Sequence, residues 1–372
     1  MNIVESTKAY EVWLRKQLRG DVIEKDLRKK HEKMAADSFQ FLRATYWRWA
    51  ETVDTFCPDF DDIPKVLAVG DIHLENYGVW RDADGRLVWG VNDFDEAAEM
   101  GYILDPLRLA ASAILARTPA ALNVPAICAA VAAGYAEGLS KPAPFVLDRD
   151  HPELRRKLVV SEAERAAFWA KIEKRREKAR RKQPPPTPKS KYVMALRKAM
   201  PELIEDIGFW PRSAGAGSLG RPRWDAYAEW RGGPILREAK ALVTSAWSRA
   251  RGEANAPIRA SEIAGGHYRA PDPWYVIPGD IVVRRLSANA RKLTIKRTPT
   301  QLLTAAMLHA MARDLASIHL GTAGRTAALK KDFAKRRGDW FSGAVDAAAK
   351  QVTVDYQDWQ KYWRKKGAAA KS

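Results

Sequence analysis

The sequence predicts a mixed α+β protein that is rich in helix, and two patterns carry this prediction. Apolar and aromatic residues recur at helical spacing near the N-terminus and again in several later segments. Short apolar runs separated by polar turns, which are typical of antiparallel strands, occupy residues 66–91 and 224–240. A chain of 372 residues with 46% hydrophobic residues is long enough for two domains or for one large two-lobed protein.

The first 60 residues have the pattern of packed helices, and a strand, a loop and a hairpin follow them. Charged turns extend from Glu24 to Lys33, and the aromatic residues after them recur at helical spacing. The apolar run 66–69 predicts a strand. Residues 77–80 and 87–91 flank a polar turn that contains Asp-Gly, which is a strong hairpin signal.

This strand, loop and hairpin carry oxygen-bearing side chains in the order that phosphoryl transfer requires. Asp71 and Asn76 are five positions apart, and Asp93 follows the hairpin. In phosphotransferases one aspartate orients or deprotonates the acceptor hydroxyl, while an asparagine and a second aspartate hold Mg²⁺ against the nucleotide phosphates. We therefore predict that Asp71 is catalytic and that Asn76 and Asp93 are metal ligands. Asp95 would bind a second Mg²⁺ or backbone amides.

Helical patterns return after the hairpin and end in a strongly basic segment. Asp105 is the predicted N-cap of a helix whose first residue is Pro106, and it is also a candidate to brace the catalytic loop. A second helical stretch covers 161–182. The net charge is +18, and the stretch between Lys171 and Met200 holds twelve Lys or Arg against two Glu. The simplest interpretation is a solvated basic helix followed by a stiff Pro-rich linker, and the alternative is contact with a polyanion through Lys171–Lys198.

The second strand-rich region begins with a glycine-rich motif and contains a lysine. A dinucleotide-binding site would need glycines that open a helix and an acid about twenty residues later, but Arg221-Pro222 opens a helix poorly and Lys240 stands at the later position. The order of elements, a strand, a glycine-rich loop, a second strand and a lysine, instead matches a nucleotide clamp. In such a clamp the loop amides cover the nucleotide phosphates and the lysine contacts them. The predicted nucleotide-binding residues are Gly215, Gly217, Ser218, Gly220 and Lys240.

Several further expectations concern the C-terminal part of the chain. Glu262, on a predicted short helix at 258–264, is a candidate partner for Lys240 or an ordinary exposed residue. An antiparallel pair is predicted at 275–286, and helices at 191–207, 302–320 and 355–366. The supporting residues have either structural or anion-binding interpretations: His73 and His319 would stabilise the fold, and Arg43, Arg284 and Arg285 would bind phosphate, a carboxylate or surface acids.

The cysteine spacing and the distribution of apolar residues disfavour zinc-binding, disulfide-rich, secreted and membrane-spanning proteins. Cys57 and Cys128 lack the spacing of a zinc site or a disulfide framework. The start has no signal-peptide pattern, and polar residues interrupt the longest apolar region, so we expect a cytoplasmic protein without a membrane span.

These motifs resemble a bacterial family, domain of unknown function 2252, which is grouped with the protein kinase-like and aminoglycoside phosphotransferase-like superfamily. Its central signature is similar to residues 70–78 and 92–97, its next block to 105–112, and its opening motif to 33–34 with 38–43. Looser matches include 215–220, Lys240, Arg259 with Glu262, 283–286 and 315–319. Val69 stands where kinases commonly have His, and Ala241 where the family often has an acid, which leaves Glu262 as the candidate partner of Lys240.

The resemblance implies a bilobal protein kinase-like fold that uses ATP and Mg²⁺. Because the glycine-rich loop and Lys240 follow the Asp71 loop, the reverse of ordinary kinases, the expected fold is circularly permuted. The expected divisions are an N-terminal helical segment (1–60), a catalytic region (61–170), a basic helix and linker (171–200), a nucleotide-clamping sheet (201–295) and C-terminal helices (296–372).

The function expected from these residues is ATP- and Mg²⁺-dependent phosphotransfer to a hydroxyl of a small molecule or a protein. Nucleotidyl transfer is an alternative because it would use the same metal ligands. A nucleotide-binding pseudokinase or a nucleic-acid-associated module that works through the basic segment is another. The joint presence of Asp71, Asn76, Asp93 and Lys240 favours an active enzyme, and the sequence does not identify the acceptor.

Overall fold

The computed structural model describes residues 1–118, 122–323 and 325–369, and within them it is a mixed α+β fold, as expected. The N-terminal part is helical: α1 (Ile3–Gln17), α2 (Glu24–Ala36), α3 (Ser38–Ala44), α4 (Tyr46–Glu51), α5 (Val53–Phe56) and a 3₁₀ turn (Phe60–Asp62). Asn2 and Glu5 form a capping box at α1, which satisfies amides that the first turn leaves free. Trp47 and Trp49 are buried, so the aromatic residues of this region lie in the core.

Two antiparallel pairs follow these helices. Strand β1 (Lys65–Ala68) pairs with β4 (Ala98–Gly101), and β2 (Tyr77–Arg81) pairs with β3 (Leu87–Val91). The hairpin is therefore where its turn sequence predicted it. Asp82 holds the turn because its carboxylate accepts from the backbone amides of Asp84 and Arg86 at 3.1 and 2.9 Å. A short strand, β5 (Phe145–Val146), extends this sheet beside β3.

The helices that support this region pack closely. They are α6 (Leu104–Ala116), α7 (Val124–Ser140), α8 (Pro152–Leu158), α13 (Pro299–Leu302), α14 (Ala305–Ala323), α15 (Thr326–Arg336) and α16 (Asp339–Ala369). Gly134 and Gly138 let α7 approach α14, because a Cβ on them would lie 2.1 Å from the carbonyl oxygen of His309 and 2.4 Å from that of Arg313. Helix α16 is much longer than the predicted 355–366.

A separate antiparallel sheet has the order β6-β7-β8-β9, formed by β6 (Gly208–Pro211), β7 (Arg223–Trp230), β8 (Gly233–Ala241) and β9 (Ile281–Leu286). The turn between β7 and β8 uses Arg231 and Gly232, both at positive φ, which suits a tight hairpin. The predicted pair at 275–286 is wrong in one respect: its first half forms only a bridge between Val276 and Val283, and β9 pairs with β8.

Helices flank this sheet. They are α9 (Glu162–Arg180), α10 (Ser190–Lys198), α11 (Ala246–Ala250) and α12 (Ala260–Ala264). Helix α9 begins with a capping box at Ser161 and buries Ile172 beside Trp210 and Tyr227 of the sheet. Helix α10 ends earlier than the predicted 191–207, because Pro201 lacks an amide hydrogen for the next turn. Within the described ranges, no helix combines the length and the apolar character needed to cross a membrane.

Candidate active site

The loops after β1, after β3 and between β6 and β7 meet around a cavity of about 60 Å³. Most of the residues predicted as catalytic, metal-binding or nucleotide-binding line it: Asp71, Asn76, Asp93, Asp95, Gly215, Gly217 and Ser218, with Arg43 and His73 beside them. Lys240 reaches the same carboxylates from β8. The structure thus brings together side chains from segments that are far apart in the chain.

Asp71 is held by a buried arginine that sequence reasoning missed. One carboxylate oxygen lies 2.6 Å from Nη2 of Arg108, which also donates to the carbonyl oxygen of Leu42 at 2.8 Å. The Arg108 guanidinium lies 5.0 Å from the ring centres of Tyr46 and Trp49. Burial raises the pKa of Asp71 and Arg108 opposes that rise. A lone arginine inside the apolar pattern of α6 was the signal that could have found it.

Asp105 braces the loop that carries Asp71, but it is not the predicted N-cap. Helix α6 begins at Leu104, and no side chain caps it. The Asp105 carboxylate instead accepts from the backbone amides of Val69 and Gly70 at 2.7 and 2.9 Å. His319 lies 2.9 Å from the same carboxylate through Nε2, which is the structural role expected for it. These contacts fix the loop from the interior of the protein.

The Asn76 side chain is oriented by two backbone carbonyls. Its Nδ2 donates to the carbonyl oxygens of Asp71 and Asp93, both at 3.1 Å. Its Oδ1 is buried and has no hydrogen-bond partner in the part of the chain that the structure describes. Buried polar atoms are almost always hydrogen-bonded, so an unpaired amide oxygen in a cavity is suited to a bound cation.

Lys240 joins the two aspartates of the third loop. Its Nζ lies 2.6 Å from Asp95 and 3.2 Å from Asp93. Burial raises the pKa of Asp93, but Lys240 and Arg284 outweigh burial and hold it well below the ordinary value. Burial and the neighbouring Asp93 carboxylate raise the pKa of Asp95 to about 6. One Asp95 oxygen, Oδ1, is buried without a partner among the described residues.

Glu262 is not the partner of Lys240. It forms an ion pair with Arg259, three positions earlier, through two hydrogen bonds of 2.5 and 2.8 Å. Its side chain is 48% exposed, so the pair is a surface contact on the short helix α12. The expectation of a Lys240–Glu262 pair is therefore corrected, because Asp93 and Asp95 occupy the position of the partner.

The supporting residues mostly interact with neighbouring protein groups. Arg43 lies 2.8 Å from Glu75, and Arg284 lies 2.8 Å from the buried Glu238. The backbone amide of Glu75 donates to Nδ1 of His73 at 3.1 Å, in agreement with a loop-stabilising role. Burial lowers the pKa of His73 well below its ordinary value, so this ring is neutral.

The glycine-rich loop lies directly over Asp71. A Cβ on Gly217 would be 3.0 Å from Oδ2 of Asp71 and 3.2 Å from the carbonyl oxygen of Arg43, so a side chain here would require these neighbours to shift. Gly215 and Gly220 have φ of +73° and +98°, a region that favours glycine. The Ser218 hydroxyl accepts from Nη2 of Arg223 at 2.7 Å, which fixes the loop to β7.

A larger cavity of about 440 Å³ adjoins the first, and exposed Lys292 lines both. Its apolar walls include Trp80, Phe94, Tyr275 and Ile172. It is also rich in basic side chains: Arg81, Lys171, Arg175, Arg212, Arg269, Arg284, Arg285 and Arg291. Its volume lies within the range of small-molecule sites, and its lining suits a ring system that carries negative charge.

The donor set fits Mg²⁺. Asn76, Asp93 and Asp95 offer only oxygen, which this hard cation prefers. In the described residues no three His, Cys, Asp or Glu side chains form a metal-binding group, so the amide oxygen of Asn76 would have to contribute. Its unpaired state is the observation in favour of that contribution.

Comparison with known protein families matches the first half of the chain in part. Residues 22–185 match the model of a family described as an uncharacterized protein conserved in bacteria (DUF2252). The match supports this part of the resemblance. It includes Asp71, Asn76, Asp93 and Asp95 and ends before the glycine-rich loop. Searches of the curated proteins and of the solved structures gave no match.

Proposed function

We propose that this protein is an ATP- and Mg²⁺-dependent phosphotransferase that acts on a hydroxyl group. One observation carries the proposal: Asp71, Asn76 and the Asp93–Lys240 pair converge beneath a glycine-rich loop. Asp93 and Lys240 are 147 positions apart, so their contact is a property of the whole fold rather than of one local motif. Base, amide, carboxylate and lysine are the groups that position a nucleotide for phosphoryl transfer.

We also propose that the fold is kinase-like and circularly permuted. Strand β6, the glycine-rich loop, β7 and the lysine on β8 follow one another in the order found in protein kinases. The Asp71 loop and the β2–β3 hairpin precede them here instead of following them. This order supports a permutation between the nucleotide-clamping sheet and the catalytic loops.

In the proposed complex, the nucleoside occupies the larger cavity and its phosphates extend toward Lys240. Phe94 and Tyr275 would contact the base, and Lys292, which lines both cavities, would lie beside the phosphates. Asn76, Asp93 and Asp95 would hold the Mg²⁺, which neutralises charge on the phosphate oxygens when bound. Lys240, now the counter-ion of Asp93, is then available to a phosphate oxygen.

In this proposal Asp71 orients the acceptor hydroxyl. Its Oδ1 contacts Arg108, which favours the ionised carboxylate and fixes its rotamer. Its Oδ2 faces the glycine-rich loop, where an acceptor would meet the terminal phosphate. In a loose transition state, positioning contributes more than proton affinity, so a carboxylate suits this role.

Labelled nucleotide tests the proposal and its nearest alternative. The protein is incubated with Mg²⁺, a cell extract and ATP labelled at the γ or the α phosphate, beside an Asp71→Asn control. Transfer of γ label that depends on Asp71 supports phosphotransfer. Transfer of α label supports nucleotidyl transfer, and the absence of both contradicts the proposal of an active enzyme.

A further inference from the structure

Helix α2 and the residue before it contact the glycine-rich loop through residues that do not line the cavity. The backbone amide of Ile23 donates to the carbonyl oxygen of Gly220 at 2.9 Å. The Ser213 hydroxyl donates to Oδ1 of Asp26 at 2.7 Å. Between these two contacts, Nζ of Lys30 donates to the carbonyl oxygen of Gly217 at 2.7 Å. The loop is therefore held at both ends and at its middle.

Lys30 is an unusual residue for this position. It is 2% exposed, and its ammonium lies 5.1 Å from the ring centre of Tyr10 and 4.8 Å from that of Trp47. Within the described residues it has no carboxylate within 4.0 Å, so the Gly217 carbonyl is its strongest polar partner. A buried ammonium is unfavourable without such a partner, which indicates that the contact is required.

The Lys30 hydrogen bond is made to the glycine that lies beside Asp71. Gly217 receives the Lys30 hydrogen bond on its carbonyl, and its Cα side faces Oδ2 of Asp71. Lys30, Gly217 and Asp71 therefore lie in series, from the N-terminal helices to the cavity. Displacement of Gly217 would change both the cover over the Asp71 carboxylate and the direction of the loop amides.

We infer that Lys30 is a positioning residue: it holds the glycine-rich loop at the height over Asp71 that phosphoryl transfer needs. The catalytic consequence of this inference rests on the proposed function. The contact between Lys30 and the loop is independent of that function. The N-terminal helices then belong to the active site, because they supply the outer support of the loop. Lys30 acts through Gly217 and does not touch the nucleotide.

The charged groups around Lys30 support its sensitivity to substitution. Burial and then Arg221 lower its pKa, Glu96, Glu11 and Asp71 oppose this, and the net pKa is about 7. The hydrogen bond of its Nζ within the described residues is the one to the Gly217 carbonyl.

Hydrogen exchange of the loop amides tests the contact without reference to activity. In Lys30→Met, which keeps the apolar stem and removes the donor, we expect the amides of residues 215–220 to exchange about tenfold faster. In Lys30→Arg, which restores a donor, the same loop amides should exchange more slowly than they do in Lys30→Met. The matched control is Lys25→Met, an exposed lysine of the same helix, which should leave the loop unchanged.

Kinetics tests the catalytic consequence. We expect Lys30→Met to lower kcat about tenfold and to change the Kd of Mg-ATP less than about twofold, because the lost contact positions the loop and does not bind ligand. Partial recovery of kcat in Lys30→Arg would support the inference. If Lys30→Met does not fold, Ser213→Ala removes a loop contact at an exposed residue and should also accelerate loop exchange.

Two results would overturn the inference. One is unchanged loop exchange in folded Lys30→Met, whatever the activity. The other is faster exchange throughout the molecule without a local excess at 215–220, since that pattern indicates a general structural role. A protein without phosphotransferase activity that still shows the local effect would contradict the proposed function and leave the loop contact supported.

Discussion

Lys240 and Asp95 form a buried ion pair of 2.6 Å between β8 and the loop that follows β3. The same ammonium lies 3.2 Å from Asp93, so one lysine faces two carboxylates. The pKa of Asp93 lies well below its ordinary value because of Lys240 and Arg284, despite burial. The two aspartates are therefore unequal, and their roles can be separated by substitution.

The first prediction concerns Asp93. Mg-ATP should raise the melting temperature of the protein, since a ligand at a hundred times its Kd stabilises the folded state by about 2.7 kcal/mol. Asp93→Asn should abolish the part of this rise that depends on Mg²⁺, because it removes the carboxylate proposed to bind the cation. The measurement is thermal unfolding with ATP, in Mg²⁺ and in EDTA.

The matched control for this measurement is Asp84→Asn. Asp84 is an exposed aspartate in the turn of the β2–β3 hairpin, away from the cavity. In the Asp84→Asn variant, Mg-ATP should raise the melting temperature as much as it does in the unaltered protein. An undiminished Mg²⁺ effect in Asp93→Asn would contradict the metal assignment.

The second prediction concerns Asp95 and pH. Burial and Asp93 raise the pKa of Asp95 to about 6, above the value of about 4 in an unfolded chain. The folded state thus binds the proton more tightly, and the ionised carboxylate destabilises it above pH 6. As the pH falls from about 6 toward about 4, this penalty shrinks and then disappears.

Asp95→Asn should therefore be more stable than the unaltered protein at pH 7, by on the order of 1–2 kcal/mol, and the difference should shrink toward about pH 4. In this variant Lys240 keeps Asp93 as its counter-ion, and Arg221, which also lies 3.4 Å from Asp95, keeps Glu96. Urea unfolding across this pH range measures the difference. Lower stability of Asp95→Asn at pH 7 would contradict the unfavourable environment assigned to the carboxylate.

Local sequence patterns predicted much of the site because the relevant signals were short-range. The Asp-Gly turn fixed the hairpin, and the spacing of Asp71 and Asn76 placed both on one loop. The sequence did not predict that Lys240 pairs with Asp93 and Asp95 instead of Glu262. Glu262 was a candidate because it lies on a predicted short helix and because Ala241 stands where the family often has an acid. The actual partners, Asp93 and Asp95, lie far earlier in the chain and meet Lys240 through the fold.

Lys30 and Arg108 were missed for a related reason. Lys30 belongs to a charged turn that has the pattern of a solvated helix face, and it is buried because Tyr10 and Trp47 cover it. Arg108 lies in an otherwise apolar helix, and its partner Asp71 comes from another segment. A charged residue becomes part of a buried site through packing between elements, and periodicity within one element does not report that packing.

The third prediction concerns the Arg108–Asp71 pair. Arg108→Met should destabilise the protein by about 3–5 kcal/mol, because it leaves the Asp71 carboxylate buried without its cation. The double variant Arg108→Met with Asp71→Asn should recover part of this loss. Urea unfolding of the single and double variants at pH 7 gives the coupling energy between the two side chains.

The pH dependence of Arg108→Met has a defined sign. Arg108 is the main group that opposes the rise in the pKa of Asp71 caused by burial, so the folded state gains affinity for the proton without it. The loss of stability should be largest at neutral pH and smaller as the pH falls through the raised pKa. A loss that is independent of pH, together with additive single variants, would mean that packing of Arg108 rather than its charge is what matters.

The fourth prediction concerns the basic helix α9, whose two sides differ. Ile172 is buried on the sheet, and Arg175 lines the larger cavity and lies 3.5 Å from Asp225. Other basic residues at the end of the helix are exposed: Lys174, Lys178, Arg181 and Lys182. Replacement of these four by Gln should leave the Kd of Mg-ATP within about twofold, because the nearest cavity wall is formed by the other side of the helix.

The same variant decides between the proposed function and a nucleic-acid-associated module. Binding of duplex DNA is measured against salt concentration for the unaltered protein and for the four-residue Gln variant. A steep salt dependence that the substitutions remove would favour the module, because each phosphate contact that is lost flattens the slope. A large loss of ATP binding in the variant would instead mean that the nucleotide lies along the exposed side of α9. Unchanged ATP binding with weak, salt-insensitive DNA binding is the result that the proposed phosphotransferase requires.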